Sequence, residues 1–261
     1  IVCENGTDIW VGGASGVYHC NAADGIFTEI TCEGSPIVGV SSLFEDSEGY
    51  LWIAACEHGL YRYDIKTGAM VFYSQGSLYY ANTVFKDISG TLWIGTWGKG
   101  LLRISDPYSH GELEYACYTH GSDPSSLMDD VVYDINEDLS GRLWIASRSG
   151  LSILSDPQQG TSFENYAPGQ TDSGIPYNEV SSIIRTKNGT MWLSMYCGGV
   201  CKVQTPEPYC RVNYLDGLRK HLKTSSVRSM YQAAENKFWL GIIGYGMVLY
   251  DIENDTFALY G

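Results

Sequence analysis

Glu57 and His58, Trp97 and Lys99, Arg148, Tyr196, and Tyr245 are the side chains best suited to hold a small ligand. Each falls four to six residues after a tryptophan that recurs along the chain. An indole or phenol offers a flat apolar face to a sugar ring, and a neighbouring charged or imidazole group bonds its hydroxyls. Trp97 is the one tryptophan of the seven that stands outside the recurring position.

Residues suited to covalent or metal chemistry form weaker patterns. The eight cysteines make no C-x-x-C pair and have no H-x-x-x-H partner, so a zinc site is poorly supported and no metal or cofactor is expected. Cys197 and Cys201 flank a Gly-Gly turn and are near enough to touch; most of the others stand where neighbouring repeats carry Tyr, Val or Phe and read as small buried hydrophobes. The run from Asn136 to Gly141 partly mimics a calcium loop, but its twelfth position is Ser147 instead of Glu. Gly95, Gly98 and Gly100 make a hairpin, not a dinucleotide fingerprint, because no helix follows them. Paired carboxylates for glycoside hydrolysis need a proximity in space that spacing along the chain does not show.

The elements that must position these side chains come from an internal repeat. Trp10, Trp52, Trp93, Trp144, Trp192 and Trp239 lie 41 to 51 residues apart, the period of four-stranded propeller blades. A glycine follows each by six or seven residues (Gly16, Gly59, Gly100, Gly150, Gly199, Gly246), and an apolar residue follows that glycine. In each copy an apolar strand leads to a turn with Asp and Gly, as at Asp46 and Gly49, Asp87 and Gly90, or Asp138 and Gly141. The Trp strand is next, then a glycine hairpin, a third strand, and a fourth with aromatics three apart (Tyr115 and Tyr118, Phe163 and Tyr166, Phe257 and Tyr260). Such strands make an antiparallel meander.

In Leu51-Trp52-Ile53-Ala54, successive side chains point to opposite faces and all are apolar, so both faces of the sheet are buried. Radially arranged blades meet that demand. Two residues after each Trp stands a small residue (Gly12, Ala54, Gly95, Ala146, Ser194 or Gly241), which leaves room for a large side chain of the adjacent blade. The expected fold is an all-β propeller of four-stranded antiparallel blades, with six blades over residues 1–36, 37–77, 78–127, 128–174, 175–220 and 221–261. The first copy looks short on its N-terminal side; either six blades close the ring or the chain is part of a larger one.

These residues resemble the two-component regulator propeller repeat. The matches are Glu45-Asp46, Gly49, Leu51-Trp52-Ile53 and Gly59-Leu60-Tyr61-Arg62-Tyr63-Asp64, and the segments 120–127 and 215–218 are similar to the family's linkers. Thr186 and Ala233 depart from it at the turn Asp, and residues 219–224 look like an insertion. The resemblance implies the extracytoplasmic (periplasmic) sensor region of a bacterial hybrid two-component system. It further implies an oligosaccharide or other small ligand, contacts with adjacent domains of the same chain, a homodimer in the full-length protein, and a histidine kinase elsewhere in that protein. Ligand binding would then bias how the propeller sits against a neighbouring domain.

Two other function classes stay open. As a propeller enzyme, the chain lacks the sialidase Asp box, whose Asp positions hold Ser47, Ile88 and Leu139; Arg185 and Arg228 lie on or near inner strands without completing an evident triad. A lyase wants a histidine on the loop face, and of five histidines only His58 lies in such a hairpin. As an interaction platform, it would show an exposed aromatic patch away from the loops. The net charge of −14 repels phosphate backbones and argues against nucleic acid as a partner. No stretch approaches the ~20 apolar residues of a membrane span.

Overall fold

A computed structural model describes all residues except 1, 6–7, 22–24, 110, 170–174, 198, 205–208, 214, 223–225 and 261. Six antiparallel sheets follow one another along the chain, each with its strands in chain order, as the repeat predicts for propeller blades. Blade one holds β1 (Val2–Asn5), β2 (Asp8–Gly12), β3 (Val17–Asn21) and β4 (Phe27–Cys32), with a two-residue β5 (Ser35–Pro36) beyond β4. Blade two holds β6 (Val40–Glu45), β7 (Tyr50–Ala55), β8 (Gly59–Asp64) and β9 (Met70–Tyr73). A short 3-10 helix, Gly76–Tyr80, leads into blade three: β10 (Ala81–Lys86), β11 (Leu92–Thr96), β12 (Leu101–Ile104) and β13 (Ala116–Tyr118). Blade four holds β14 (Val132–Glu137), β15 (Leu143–Ser147), β16 (Leu151–Leu154) and β17 (Phe163–Tyr166). Blade five holds β18 (Val180–Arg185), β19 (Met191–Met195), β20 (Gly199–Gln204) and β21 (Tyr209–Asn213). After α1 (Asp216–Leu222), blade six holds β22 (Val227–Ala234), β23 (Lys237–Ile242), β24 (Gly246–Asp251) and β25 (Thr256–Tyr260).

The first copy is not short. β1 pairs with β2 from Val2↔Val11 to Asn5↔Asp8, so the first strand of that blade is present. The segment expected as a linker and an insertion is α1. Leu215, Leu218 and Leu222 are spaced three and four apart and all are buried against blade six, which is the helical period.

The chain divides into two compact units, residues 1–119 with 130–132, and residues 120–129 with 133–261. In the first, Trp10, Val40, Leu43 and Ile53 join blades one and two, and Trp52, Ala54, Val84 and Ile94 join blades two and three. In the second, Trp144, Ile153, Ile183 and Leu193 join blades four and five, and Trp192, Val200, Met230 and Leu240 join blades five and six. Five of the recurring tryptophans are at most 6% exposed, as core packing requires; Trp239 is half-buried. The small residue two places after Trp meets the next blade, though at a valine instead of a large side chain. A Cβ on Gly12 would lie 2.6 Å from Val40, and one on Gly95 would lie 2.5 Å from Val132.

The repeated Asp caps its own turn and also locks the tryptophan. Asp46 Oδ1 accepts the N–H groups of Glu48 and Tyr50, each at 3.0 Å, while Oδ2 accepts the Trp52 indole N–H at 2.9 Å. Asp87 holds Trp93 at 2.8 Å and Asp138 holds Trp144 at 2.9 Å in the same way.

Polar side chains early in the first strands of blades two to five tie consecutive blades. In β6, β10, β18 and β22 the pairing register shifts at the second residue: Ser41, Asn82, Ser181 and Arg228. Asn82 Nδ2 donates to the Val132 carbonyl at 2.8 Å, and Ser181 Oγ donates to the Val227 carbonyl at 2.7 Å. One residue on, Ser42 accepts the Val84 N–H at 3.3 Å and Asp134 Oδ2 accepts the Ile183 N–H at 2.7 Å. The Asp134 residue is only partly covered, but its carboxylate lies deep between β14 and β18, and desolvation raises it to about 6.

Among the described residues, the cysteines form no disulfide, Cys197 and Cys201 included. Of the cysteines expected to be buried, Cys20 is, Cys32 and Cys56 are only half-buried, and Cys117 is exposed; Cys201 is buried and Cys197 exposed. The side chains of Cys3 and Cys210 lie outside the described residues. Among the described residues no helix is long and apolar enough to cross a membrane.

Candidate functional site

In a meander, the hairpins after the Trp strands and the linkers entering each blade share one end of the sheet. All seven side chains singled out from the sequence fall at that end. In the first unit, Trp97 is 45% exposed and its backbone N–H donates to Tyr80 O at 2.9 Å. Lys99 Nζ lies over the Tyr80 ring at 5.1 Å, and Tyr80 meets Tyr79 edge to face at 5.1 Å. The 3-10 helix and the blade-three hairpin thus assemble three aromatic rings and an ammonium. Glu57 and His58 occupy their own exposed hairpin. Glu57 has φ +60°, and His58 Nδ1 bonds the Cys56 carbonyl at 3.0 Å.

In the second unit, a denser cluster forms around the second residue of the first strand. At this position Asn82 and Ser181 are short and tie neighbouring backbone, but blade four has Tyr133 and blade six has Arg228. At Arg228 a bulge re-aims the side chain, and bulges concentrate beside functional sites. Tyr133 Oη donates to Glu179 Oε1 at 3.1 Å. The Arg228 guanidinium lies 5.2 Å from the centre of the Tyr196 ring, and the Tyr196 N–H donates to the Glu179 carbonyl at 3.0 Å. Tyr177 adds a third phenol, hydrogen-bonded to the exposed Cys197 thiol. Arg148 Nε donates to the buried Asp129 at 3.3 Å, and Ser149 Oγ donates to the same carboxylate.

Burial first, and then the Glu179 carboxylate, push the Tyr133 phenol up to about 12; the Arg228 and Arg148 cations pull it the other way. The phenol is therefore protonated at neutral pH and acts as a donor, not a base. A Glu carboxylate, a guanidinium on an aromatic face and a fixed phenol hydroxyl suit a polyhydroxylated ligand: they accept from and donate to hydroxyls, and a phenol ring packs on a sugar face.

The structure thus brings Arg148 and Tyr196 to one cluster and Trp97 and Lys99 to another. It leaves Tyr245 apart, with its hydroxyl donating to the Leu222 carbonyl of α1 at 2.8 Å. Sequence reasoning missed Tyr133, Glu179 and the role of Arg228. The usable signal was that Tyr133 and Arg228 are large at a repeat position where Ser41, Asn82 and Ser181 are short. His19, His120 and His221 are engaged away from the hairpins. His19 stacks on Trp10 at 4.3 Å, His120 bonds Leu127 O at 3.0 Å, and His221 bonds Gly217 O at 2.9 Å. Two grooves lie away from these clusters: one of about 590 Å³ at the first turns of blades five and six, and one of about 520 Å³ beside Arg103 and Tyr115.

No protein-family model matches the sequence, and no curated protein matches it. Solved structures share its fold. The extracellular domain of the putative hybrid two-component system BT3049 from B. thetaiotaomicron is 21% identical with a TM-score of 0.62, covering 100% of this chain and 34% of that one. PorZ, a bacterial surface component of the type-IX secretion system of Porphyromonas gingivalis, is 15% identical with a TM-score of 0.70, over 96% of this chain and 38% of that one. Virginiamycin B lyase from Staphylococcus aureus is 14% identical with a TM-score of 0.71, over 99% of this chain and 82% of that one. The chain thus spans between 34% and 38% of the length of the first two. An extracellular domain of a two-component system is therefore among the structures it resembles, in keeping with the repeat read from the sequence.

Proposed function

We propose that this chain is a ligand-sensing propeller from the extracytoplasmic region of a hybrid two-component system, and that its ligand is an oligosaccharide bound at the Tyr133–Glu179–Tyr196–Arg228 cluster. One observation carries the reading. Two blades give up the short tie at the second residue of the first strand for Tyr133 and Arg228, and both side chains meet at groups from blade five, Glu179 and Tyr196. A repeat that departs from a structural position spends that position on something else. The repeat resemblance and the shared fold with a two-component extracellular domain support the sensor context. Binding would change the propeller's fit against adjacent domains of the same protein, by no more than the ligand's differential affinity for the two arrangements.

A thermal-shift screen against defined plant and host oligosaccharides tests this. A sugar at a hundredfold its Kd stabilises the folded chain by about 2.7 kcal/mol, a rise of roughly 5 °C or more at this size. The rise is expected to vanish in Tyr196→Ala and in Arg228→Ala. The same sugars, recovered and sized after incubation, should be intact; cleavage would move the chain to the enzyme class. No rise with any sugar would favour an interaction platform.

A further inference from the structure

The 590 Å³ groove in the second unit is built where blades five and six depart from the Asp–Trp lock, at Thr186 and Ala233. The turn itself is unchanged. Thr186 N donates to Thr190 O at 2.9 Å and Gly189 N to Thr186 O at 2.9 Å, as Asp46 N does to Tyr50 O at 2.9 Å and Gly49 N to Asp46 O at 3.2 Å. Trp192 also keeps its register, opposite Ile184 as Trp52 is opposite Phe44. What is missing is the carboxylate that three other blades place between turn and indole.

Its donors remain. Trp192 lines the groove at 6% exposure, and its indole N–H has no partner among the described residues, whereas Trp52, Trp93 and Trp144 give theirs to an Asp. The Asn188 N–H, whose counterparts at Glu48, Ser89 and Ser140 donate to that Asp, likewise has no acceptor among the described residues. The Thr190 N–H is taken by the Asn188 side chain at 3.2 Å. Lys202 adds a cation, with Nζ 5.7 Å from the Trp192 ring, and none of the described carboxylates pairs with it. Glu235 and the exposed Tyr231 also line the groove. Trp192 Nε1 is not sealed off from the groove, so an acceptor entering there can reach it and replace water at these donors. The chain itself shows in three other blades that a carboxylate fits such donors.

We propose that this groove is a second binding site, for a small carboxylate ligand whose oxygens accept from the Trp192 indole and the Asn188 backbone while Lys202 neutralises its charge. The volume is in the range of small-molecule sites. This site is independent of the oligosaccharide reading.

The test follows the Trp192 indole N–H resonance during titration with succinate, with uncharged succinamide as the control. Succinate is expected to shift that resonance downfield and saturably, and succinamide to leave it in place. Lys202→Met should weaken succinate about tenfold, the loss of one charge-assisted contact. Thr186→Asp restores the chain's own carboxylate; it should shift the indole without ligand, raise the melting temperature and abolish the succinate response. The proposal is overturned if succinate up to tens of millimolar leaves the Trp192 indole unmoved. It is equally overturned if succinamide acts alike, or if Thr186→Asp responds to succinate as the wild type does.

Discussion

Asp87 uses one carboxylate for two tasks. Oδ1 accepts the N–H groups of Ser89 at 3.0 Å and Thr91 at 2.9 Å, and Oδ2 accepts the Trp93 indole N–H at 2.8 Å. Both oxygens must accept, so an amide set either way round turns its NH2 on another donor. Asp87→Asn is expected to cost about 2 kcal/mol, read as a lower denaturant midpoint. Asp64→Asn should leave the midpoint near that of the wild type, because at its exposed turn a single oxygen accepts the Lys66 and Thr67 N–H groups. The Asp and the Trp six residues later were both legible as repeat positions. Their bond to each other was not, because strand periodicity gives the face of an indole and not the direction of its N–H. Tyr133 and Glu179 were hidden for a related reason. Tyr133 is a strand residue and Glu179 a linker residue, and only the fold brings the two within hydrogen-bond distance.

At the scale of elements, blade spacing depends on what stands two residues after each tryptophan. A Cβ on Gly95 would lie 2.5 Å from both Thr83 Cγ2 and Val132 Cγ1, too close for either to stay. Gly95→Ala is therefore expected to destabilise the chain by about 1–3 kcal/mol through overpacking, measured by denaturant unfolding. The need for a small residue was readable from six copies side by side; its valine partner was not, since no single blade carries both. The tie between β14 and β18 makes a pH prediction. Asp134 titrates at about 6 in the folded chain against 3.8 for an ordinary Asp. As pH rises from about 4 to 6, the unfolded chain gives up that proton first, so stability falls across this window and levels off above it. The loss is at most about 3 kcal/mol. The drop in melting temperature between pH 4 and pH 7 should be smaller in Asp134→Asn, whatever the variant's absolute stability. Helix α1 was within reach of the sequence, since Leu215, Leu218 and Leu222 carry a helical period; the linker resemblance drew the eye from it.

Over the whole molecule, the architecture was the most legible part. Six tryptophans at blade spacing, glycine hairpins and strands apolar on both faces leave few folds that bury so much surface, and the chain forms five four-stranded sheets and one with an added two-residue strand. The proposed binding site was the least legible, because it is made by residues from blades four, five and six that lie up to 95 positions apart, from Tyr133 to Arg228. With a net charge of −14, the chain offers two arginines at that site as local exceptions, suited to a hydroxyl-rich ligand at close range. Hydrogen–deuterium exchange on this chain, with and without the oligosaccharide that raises its melting temperature, tests the account most directly. Slowed exchange is predicted in peptides covering residues 128–134, 177–182, 194–197 and 226–230, with the turns at 46–50, 87–91 and 138–142 unchanged. Protection centred on those turns, or none around Tyr133, Glu179, Tyr196 and Arg228 while the sugar is bound, would contradict it.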